Sequence, residues 1–418
     1  MQEIDRLPLQ PWMTSPATRA VLEALEAGGS EVRFVGGCVR DALKGFPIKD
    51  IDLATPDRPE QVMSLLQLAR LKAIPTGIDH GTVTAVSRGE VYEITTLRED
   101  VETDGRRAKV AYTDDWVRDA ARRDLTINAL SCRPDGSLFD PFGGLEDLRC
   151  GRVRFVGDAQ ARVTEDYLRL LRFFRFHATY GVGEMDPEGL AAARLFAPNL
   201  AGLSGERVRE ELLRLLLADD PLPVLRSMLD VGVIQVLLPE VRSDLAVLAA
   251  LMQVEERSDS LLRLAVLLEE NGEAGAGIAE RLRFSRAETR RFVMLCSGGR
   301  KLSRWPPDAG DDAKAIRQNL YDLGADPVRD LLRLNWARAE DAGPARDRAR
   351  LDAALAVADA WEMPVFPLRG RDALALGAKA GEKLGEALKR VESWWREADF
   401  IPDRDACLEH LKQVLSRI

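Results

Sequence analysis

The 418-residue sequence predicts an α/β N-terminal third followed by an all-α remainder. Two observations carry this. Up to about residue 150, β-like alternation and short helical patterns take turns, separated by glycine-containing turns. Beyond Gly151 the β-branched alternation stops, and leucine, alanine and arginine recur at helical spacing nearly to the C-terminus. A chain of this length divides into roughly two to four units. Turn-rich stretches at 148–154, near Pro239, at 306–310 and at 364–371 are the candidate boundaries, giving units 1–150, 151–240 and 241–418.

Residues 31–35 read as a strand, Gly36-Gly37 turns the chain into a helix over 39–44, and 51–54 reads as a second strand. A helix over 59–69 follows, then strands 82–87 and 91–96 separated by Arg88-Gly89-Glu90, which suits a hairpin turn. Residues 100–114, DVETDGRRAKVAYTD, mix acids with Arg106, Arg107 and Lys109 around Gly105 and read as a mobile, solvated loop. A helix from Thr164 would have a hydroxyl at its N-cap and Glu165 and Asp166 in its first turn. In the helical half, Trp305, Trp336, Trp361, Trp394 and Trp395 are read as filling helix-helix interfaces.

Composition excludes several classes. No apolar run approaches the twenty or so residues of a membrane span, and the N-terminal MQEIDRLPLQPWMTS lacks the basic start and apolar run of a secretory signal. The expected address is the cytoplasm, with no membrane and no obligate protein partner. Cys38, Cys132, Cys150, Cys296 and Cys407 are scattered without a C-x-x-C spacing, so neither a disulfide framework nor a zinc site is expected. Three histidines, His80, His177 and His410, are too few for a His/Asp phosphohydrolase module. The net charge of −9 argues against a generally basic nucleic-acid surface but leaves room for a local basic groove.

The densest signal is Phe34-Val35-Gly36-Gly37-Cys38-Val39-Arg40-Asp41, followed by Lys49-Asp50-Ile51-Asp52-Leu53. Alternate strand residues share a face, so Asp50 and Asp52 present two carboxylates together while Ile51 and Leu53 point to the core. Such oxygens suit a pair of magnesium ions, which can activate an attacking hydroxyl and neutralise departing pyrophosphate. Gly36 and Gly37 let the backbone approach a triphosphate, with the next helix's amides and Arg40 one turn in. Glu93, between Tyr92 and Ile94, has the pattern of a third carboxylate, able to complete the site or take the hydroxyl proton.

Gly36-Gly37-x-x-Arg40-Asp41 and Asp50-x-Asp52 resemble the entry motifs of the class II tRNA nucleotidyltransferases and the related bacterial poly(A) polymerases. The likeness continues in order through Thr76-Gly77-Ile78-Asp79-His80-Gly81-Thr82, Arg122-Arg123-Asp124-Leu125-Thr126-Ile127-Asn128-Ala129, Asp140-Pro141-Phe142-Gly143-Gly144, and Glu165-Asp166-x-x-Arg169-x-x-Arg172-x-x-Arg175. It implies a nucleotidyltransferase head with a mixed β-sheet, then an all-α neck, body and tail. The implied activity is untemplated addition of CMP, CMP and AMP to the 3′ end of tRNA from CTP and ATP with two Mg2+.

The resemblance assigns Arg123 to phosphate, Asp124 to ribose hydroxyls, and Asn128 to the same nucleotide-binding segment. Cytosine and adenine each pair an exocyclic amine with an unprotonated ring nitrogen, so one carboxylate acceptor beside one arginine donor fits both and rejects uracil and guanine. The resemblance gives that task to Asp166 and Arg169, with Arg172 and Arg175 holding the nucleotide. It also implies that a flexible loop in the interval 100–114 serves the switch from CTP to ATP. The Gly143-Gly144 pair is a candidate hinge, and Arg369, Arg371 and Lys379, among glycines near helix starts, are candidates to seat RNA phosphates. Rival readings are a poly(A) polymerase, an enzyme adding only CC or A, and an inactive RNA-binding adaptor.

Overall fold

The computed structural model describes residues 6–78, 81–104, 107–241, 244–268, 271–297, 312–339, 348–378 and 381–417. The chain divides into two compact units, 1–239 and 240–418.

The first unit opens with α1 (Pro11–Thr14) and α2 (Pro16–Glu26), then β1 (Arg33–Val35), α3 (Gly37–Lys44), β2 (Ile51–Thr55) and α4 (Pro59–Leu68). Next come β3 (Lys72–Gly77), β4 (Thr82–Ser87), β5 (Glu90–Thr96), β6 (Arg98–Asp104) and β7 (Arg107–Tyr112), then α5 (Trp116–Ala121), β8 (Ser131–Cys132), β9 (Leu138–Phe139) and α6 (Gly144–Cys150). The remainder of the unit is helical: α7 (Ala159–Glu165), α8 (Leu168–Tyr180), α9 (Pro187–Phe196), α10 (Gly205–Leu216), α11 (Leu222–Asp230) and α12 (Val233–Leu237). This is the mixed-sheet head followed by helices that the sequence predicts.

Seven strands form one sheet in the order β3-β4-β5-β2-β1-β8-β9. Every neighbour pair is antiparallel except β2 with β5, which run parallel with Asp52 opposite Glu93. The β4–β5 turn places Arg88 at φ 51 and Gly89 at φ 87, the two left-handed residues that match a hairpin to strand twist. Phe34, Leu53, Val83, Ala85, Tyr92 and Ile94 are buried and form the core that holds the sheet.

Two elements differ from the sequence reading. Residues 98–104 and 107–112 are not irregular but form a separate two-stranded ribbon, β6 with β7. The helix expected from Thr164 is broken: Asp158 caps α7, Glu165 ends it, and Asp166 lies extended at φ −158, ψ 107 before α8 begins. The Asp166 carboxylate accepts the N–H of Leu168, the first residue of α8, at 3.1 Å, so it lies ahead of that helix rather than riding on its first turn.

The glycine pair at 143–144 is a braced corner. Gly143 is left-handed at φ 74, and Asp140 accepts the N–H groups of Gly144 and Leu145, each at 2.8 Å. A Cβ on Gly144 would lie 2.1 Å from the Thr126 carbonyl oxygen, so only glycine fits. Gly144→Ala is therefore expected to destabilise the first unit by about 1–3 kcal/mol or more, seen as a lower urea midpoint. Gly202→Ala, whose Cβ would meet nothing within 4 Å, should leave the midpoint in place.

The second unit is helical in every described element, from Ala246–Met252 to Arg404–Leu415. Its C-terminal part packs Leu368, Ala373, Ala387, Val391, Trp395, Cys407 and Leu411. Three of the tryptophans sit in helix packing, Trp336 and Trp395 buried and Trp394 stacked on His410 at 4.2 Å, whereas Trp361 lies beyond the end of its helix with Phe400 5.5 Å away. Trp305 lies outside the described residues.

Candidate active site

The parallel register builds the acidic centre. Directly paired residues on adjacent strands point to the same face, so Glu93 of β5 stands beside Asp52 of β2, and Asp50, the residue just ahead of β2, is close enough for its charge to act on Asp52. Asp50 and Glu93 are exposed and Asp52 is half-buried. Burial, then the Glu93 carboxylate, push the Asp52 carboxyl up to about 6; Asp50 adds to this, while Arg123 and Arg40 oppose it. Cys38 fits α3 against β2, its thiol donating to the carbonyl oxygens of Val35 and Asp52 at 3.3 and 3.7 Å, and burial pushes that thiol up to about 12.

Among the described residues no cluster of three or more His, Cys, Asp and Glu is gathered closely enough to cage a metal by itself. The donors still suit magnesium, which prefers hard oxygens, retains waters and takes one or two carboxylates together with substrate phosphates. Asp52's raised affinity for a proton comes first from burial and then from the neighbouring Glu93 and Asp50 carboxylates, and a cation held by Asp50 and Asp52 would oppose both effects.

Gly36 and Gly37 sit at the mouth of α3. Gly36 is at φ 66, and a Cβ there would lie 3.0 Å from Arg123 Nη1, so the guanidinium overhangs the turn. Asp119 of α5 steadies this region: it accepts Arg122 Nε at 2.9 Å and the Arg98 N–H at 3.3 Å, with Arg123 Nη2 at 3.5 Å. Burial alone would raise the Asp119 carboxyl, but Arg122 and Arg123 hold it below the ordinary range.

The structure turns other expected nucleotide contacts inward. Arg40 is buried, bonded to Asp41 at 2.9 Å and to Asn128, with Phe176 and Tyr180 rings 4.9 and 4.5 Å from its guanidinium carbon. Asp124 has both oxygens occupied: one accepts the Leu125 N–H and Asn128 Nδ2, the other Arg172. Burial would raise its carboxyl, yet Arg172, Asn128 and the Leu125 amide bring it down to about 2. Arg172 and Arg175 both reach Glu211 of α10.

At the break before α8, Asp166 is held by Arg207, also of α10, and Arg169 by Glu165 and the carbonyls of Arg162 and Arg122. Asp166 and Arg169 thus share a turn, but their side chains do not pair with one another. Sequence reasoning missed Arg207, Glu211 and Tyr180. Arg207 and Glu211 are four apart on one helix face, which could mark a shared surface but not that it covers α8. In the second unit Arg369 and Arg371 are exposed near the start of helix Gly370–Ala375, where Asp372 accepts the Arg369 N–H and pairs with Arg404. Lys379 lies outside the described residues.

Comparison with known proteins places this architecture. Residues 32–154 match the family described as Poly A polymerase head domain, and 184–245 match Probable RNA and SrmB- binding site of polymerase A. The chain is 34% identical to CCA tRNA nucleotidyltransferase 1, mitochondrial, of Danio rerio, covering 94% of this chain and 89% of that one. It is 33% identical to the CCA-adding enzyme of Streptococcus gordonii, covering 94% and 96%. The Bacillus stearothermophilus CCA-adding enzyme in complex with CTP shares the fold with a TM-score of 0.73 at 24% identity, over 97% of this chain and 99% of that one. With relatives above 30% identity along nearly the whole length, the chain belongs to the family of CCA-adding tRNA nucleotidyltransferases.

Proposed function

We propose that this chain adds CMP, CMP and AMP stepwise to the 3′ end of tRNA from CTP and ATP, without a nucleic-acid template, releasing pyrophosphate. The observation that carries the reading is the pairing of Asp52 with Glu93 across the parallel strands, with Asp50 directly ahead of β2, beside a double-glycine turn overhung by Arg123. Asp50 and Asp52 would hold two magnesium ions, which when bound supply activation of the tRNA 3′ hydroxyl and charge neutralisation on the leaving group. Glu93 completes the acidic face or accepts the hydroxyl proton. Gly36, Gly37 and the amides of α3 receive the triphosphate, with Arg123 as its cation.

In this reading residues 1–150 are the catalytic head, 151–240 the nucleotide-selecting neck and 241–418 the tRNA-binding body and tail, with Arg369, Arg371 and Lys379 on RNA phosphates. The compartment proposed is the cytoplasm; among the described residues no helix is long and apolar enough to cross a membrane.

Asp166 and Arg169 select the base. For that, Asp166 must exchange Arg207 for the exocyclic amine, and Arg169 must turn from Glu165 to the ring nitrogen. Asp166→Ala should relax the preference for C and A over U and G by roughly ten- to hundredfold, the worth of one bidentate contact. Purified protein given tRNAs ending before CCA, after C and after CC, with each labelled nucleoside triphosphate in turn, measures this. Wild type should add C, C and A and stop. Unlimited A addition would make it a poly(A) polymerase, and addition of only CC or only A would make it a partial enzyme. An Asp166→Ala variant that keeps wild-type preference would refute the selecting role.

A further inference from the structure

Arg40, Asn128, Asp124 and Arg172 form an unbroken hydrogen-bonded run across the first unit. Its distances are 2.5 Å from Arg40 Nη1 to Asn128 Oδ1, 3.0 Å from Asn128 Nδ2 to Asp124 Oδ1, and 2.5 Å from Arg172 Nε to Asp124 Oδ2. At the other end Arg40 binds Asp41, which accepts the Tyr180 hydroxyl at 2.6 Å. Both ends therefore stand on α8, at Arg172 and Tyr180, eight residues or about 12 Å apart. The middle lies on α3 and on the short 3-10 turn Thr126–Asn128.

We propose that Asn128 and Tyr180 are positioning residues of a two-footed staple that sets α8 against α3, and with it the selecting turn at Asp166 against the triphosphate turn at Gly36. This inference rests on the selecting role proposed for Asp166. The chemistry of each member is specified. A guanidinium only donates and a carboxylate only accepts, so the group between Arg40 and Asp124 must accept on one side and donate on the other. An amide does both and a carboxylate does not. Tyr180 adds a hydroxyl to a ring already on the Arg40 guanidinium, and burial pushes its phenol up to about 12, so it remains a donor at every working pH. Packing alone requires the ring and not the hydroxyl. Two feet far apart also fix the angle of a helix, where one would leave it free to pivot.

The test uses the full-length protein with tRNA ending after CC, and compares kcat and KM for ATP with those for GTP and UTP. Tyr180→Phe, which keeps the ring, and Asn128→Asp, which keeps the shape, should each lower kcat with ATP and the ATP preference roughly three- to thirtyfold. KM for ATP should change less than about twofold, since the triphosphate turn itself is intact. In the double variant the losses should fall short of their product, because one foot already frees the helix. An unchanged preference in Tyr180→Phe, with or without a lower melting temperature, would overturn the proposal, as would a KM-only effect equal for all nucleotides. If Asn128→Asp does not fold, Tyr180→Phe decides alone. Asp166→Ala serves as a parallel arm: if it relaxes selection and Tyr180→Phe does not, the staple fails while the selecting role stands. If Asp166→Ala leaves selection unchanged, it is the selecting role that fails.

Discussion

Alanine at Asp50 or Asp52 is expected to stop incorporation of both CMP and AMP, a loss of at least about a thousandfold, or about 4 kcal/mol of transition-state stabilisation. Fold and tRNA binding should survive. Asp52's carboxyl is shifted upward in the fold by burial and by Glu93. An acid with a raised folded value is disfavoured in its charged form there, so at neutral pH its removal takes away no favourable charge term. Product gels at saturating magnesium, beside a filter-binding titration with the same tRNA, separate the two effects. Sizeable addition by either variant would place the reaction centre elsewhere.

Excising residues 102–109 is expected to leave CC addition nearly intact and to block the terminal A. The geometry favours a clean cut. The deletion removes the outer pairs Glu102 with Lys109, Thr103 with Ala108 and Asp104 with Arg107, and keeps Arg98 with Tyr112, Glu99 with Ala111 and Asp100 with Val110. The base stays tied by the Thr113 N–H to the Leu97 carbonyl and by the Arg98 N–H to Asp119, the same carboxylate that steadies Arg122 and Arg123. A purine needs a wider pocket than a pyrimidine while the hydrogen-bonding pattern stays the same, so a segment tied to that region has to move between the two. A tRNA lacking all three nucleotides, supplied with CTP and ATP together, reports the result on one gel. Full CCA would remove the ribbon from the mechanism, and loss of every addition would give it a role in the fold.

What the sequence made legible was local. Period-two alternation identified β2, β4 and β5, although β2 begins at Ile51 and leaves Asp50 just outside it; Arg88-Gly89 announced its turn; Gly36-Gly37 announced the start of α3. What it hid was either atypical or distant. β3 carries Pro75, which is tolerated because the strand lies at the sheet edge, where its register also shifts. The ribbon β6–β7 is charged enough to read as solvent-exposed coil. The break at Asp166 contains neither glycine nor proline, and what accompanies it is a carboxylate bonding to the backbone two residues on, a local alternative to the helical pattern. The partners of the arginines on α8 were invisible because Asp124 and Glu211 are supplied from far along the chain in each direction. A cation read alone looks available for phosphate; packed, it answers a buried acid.

The parallel pairing of β2 with β5 also governs when the acidic centre can exist. A parallel neighbour cannot be reached through a tight turn, and here about forty residues, including α4, β3 and β4, separate Asp52 from Glu93. Contacts of such long sequence separation are slow to form, because the chain loses loop entropy before the pairing rewards it. A partly folded chain can present Asp50 and Asp52 on a young strand, but without the third carboxylate beside them. The three-carboxylate centre is thus a property of the completed sheet and not of the motif, and it is absent from a chain in which β5 has not yet joined β2.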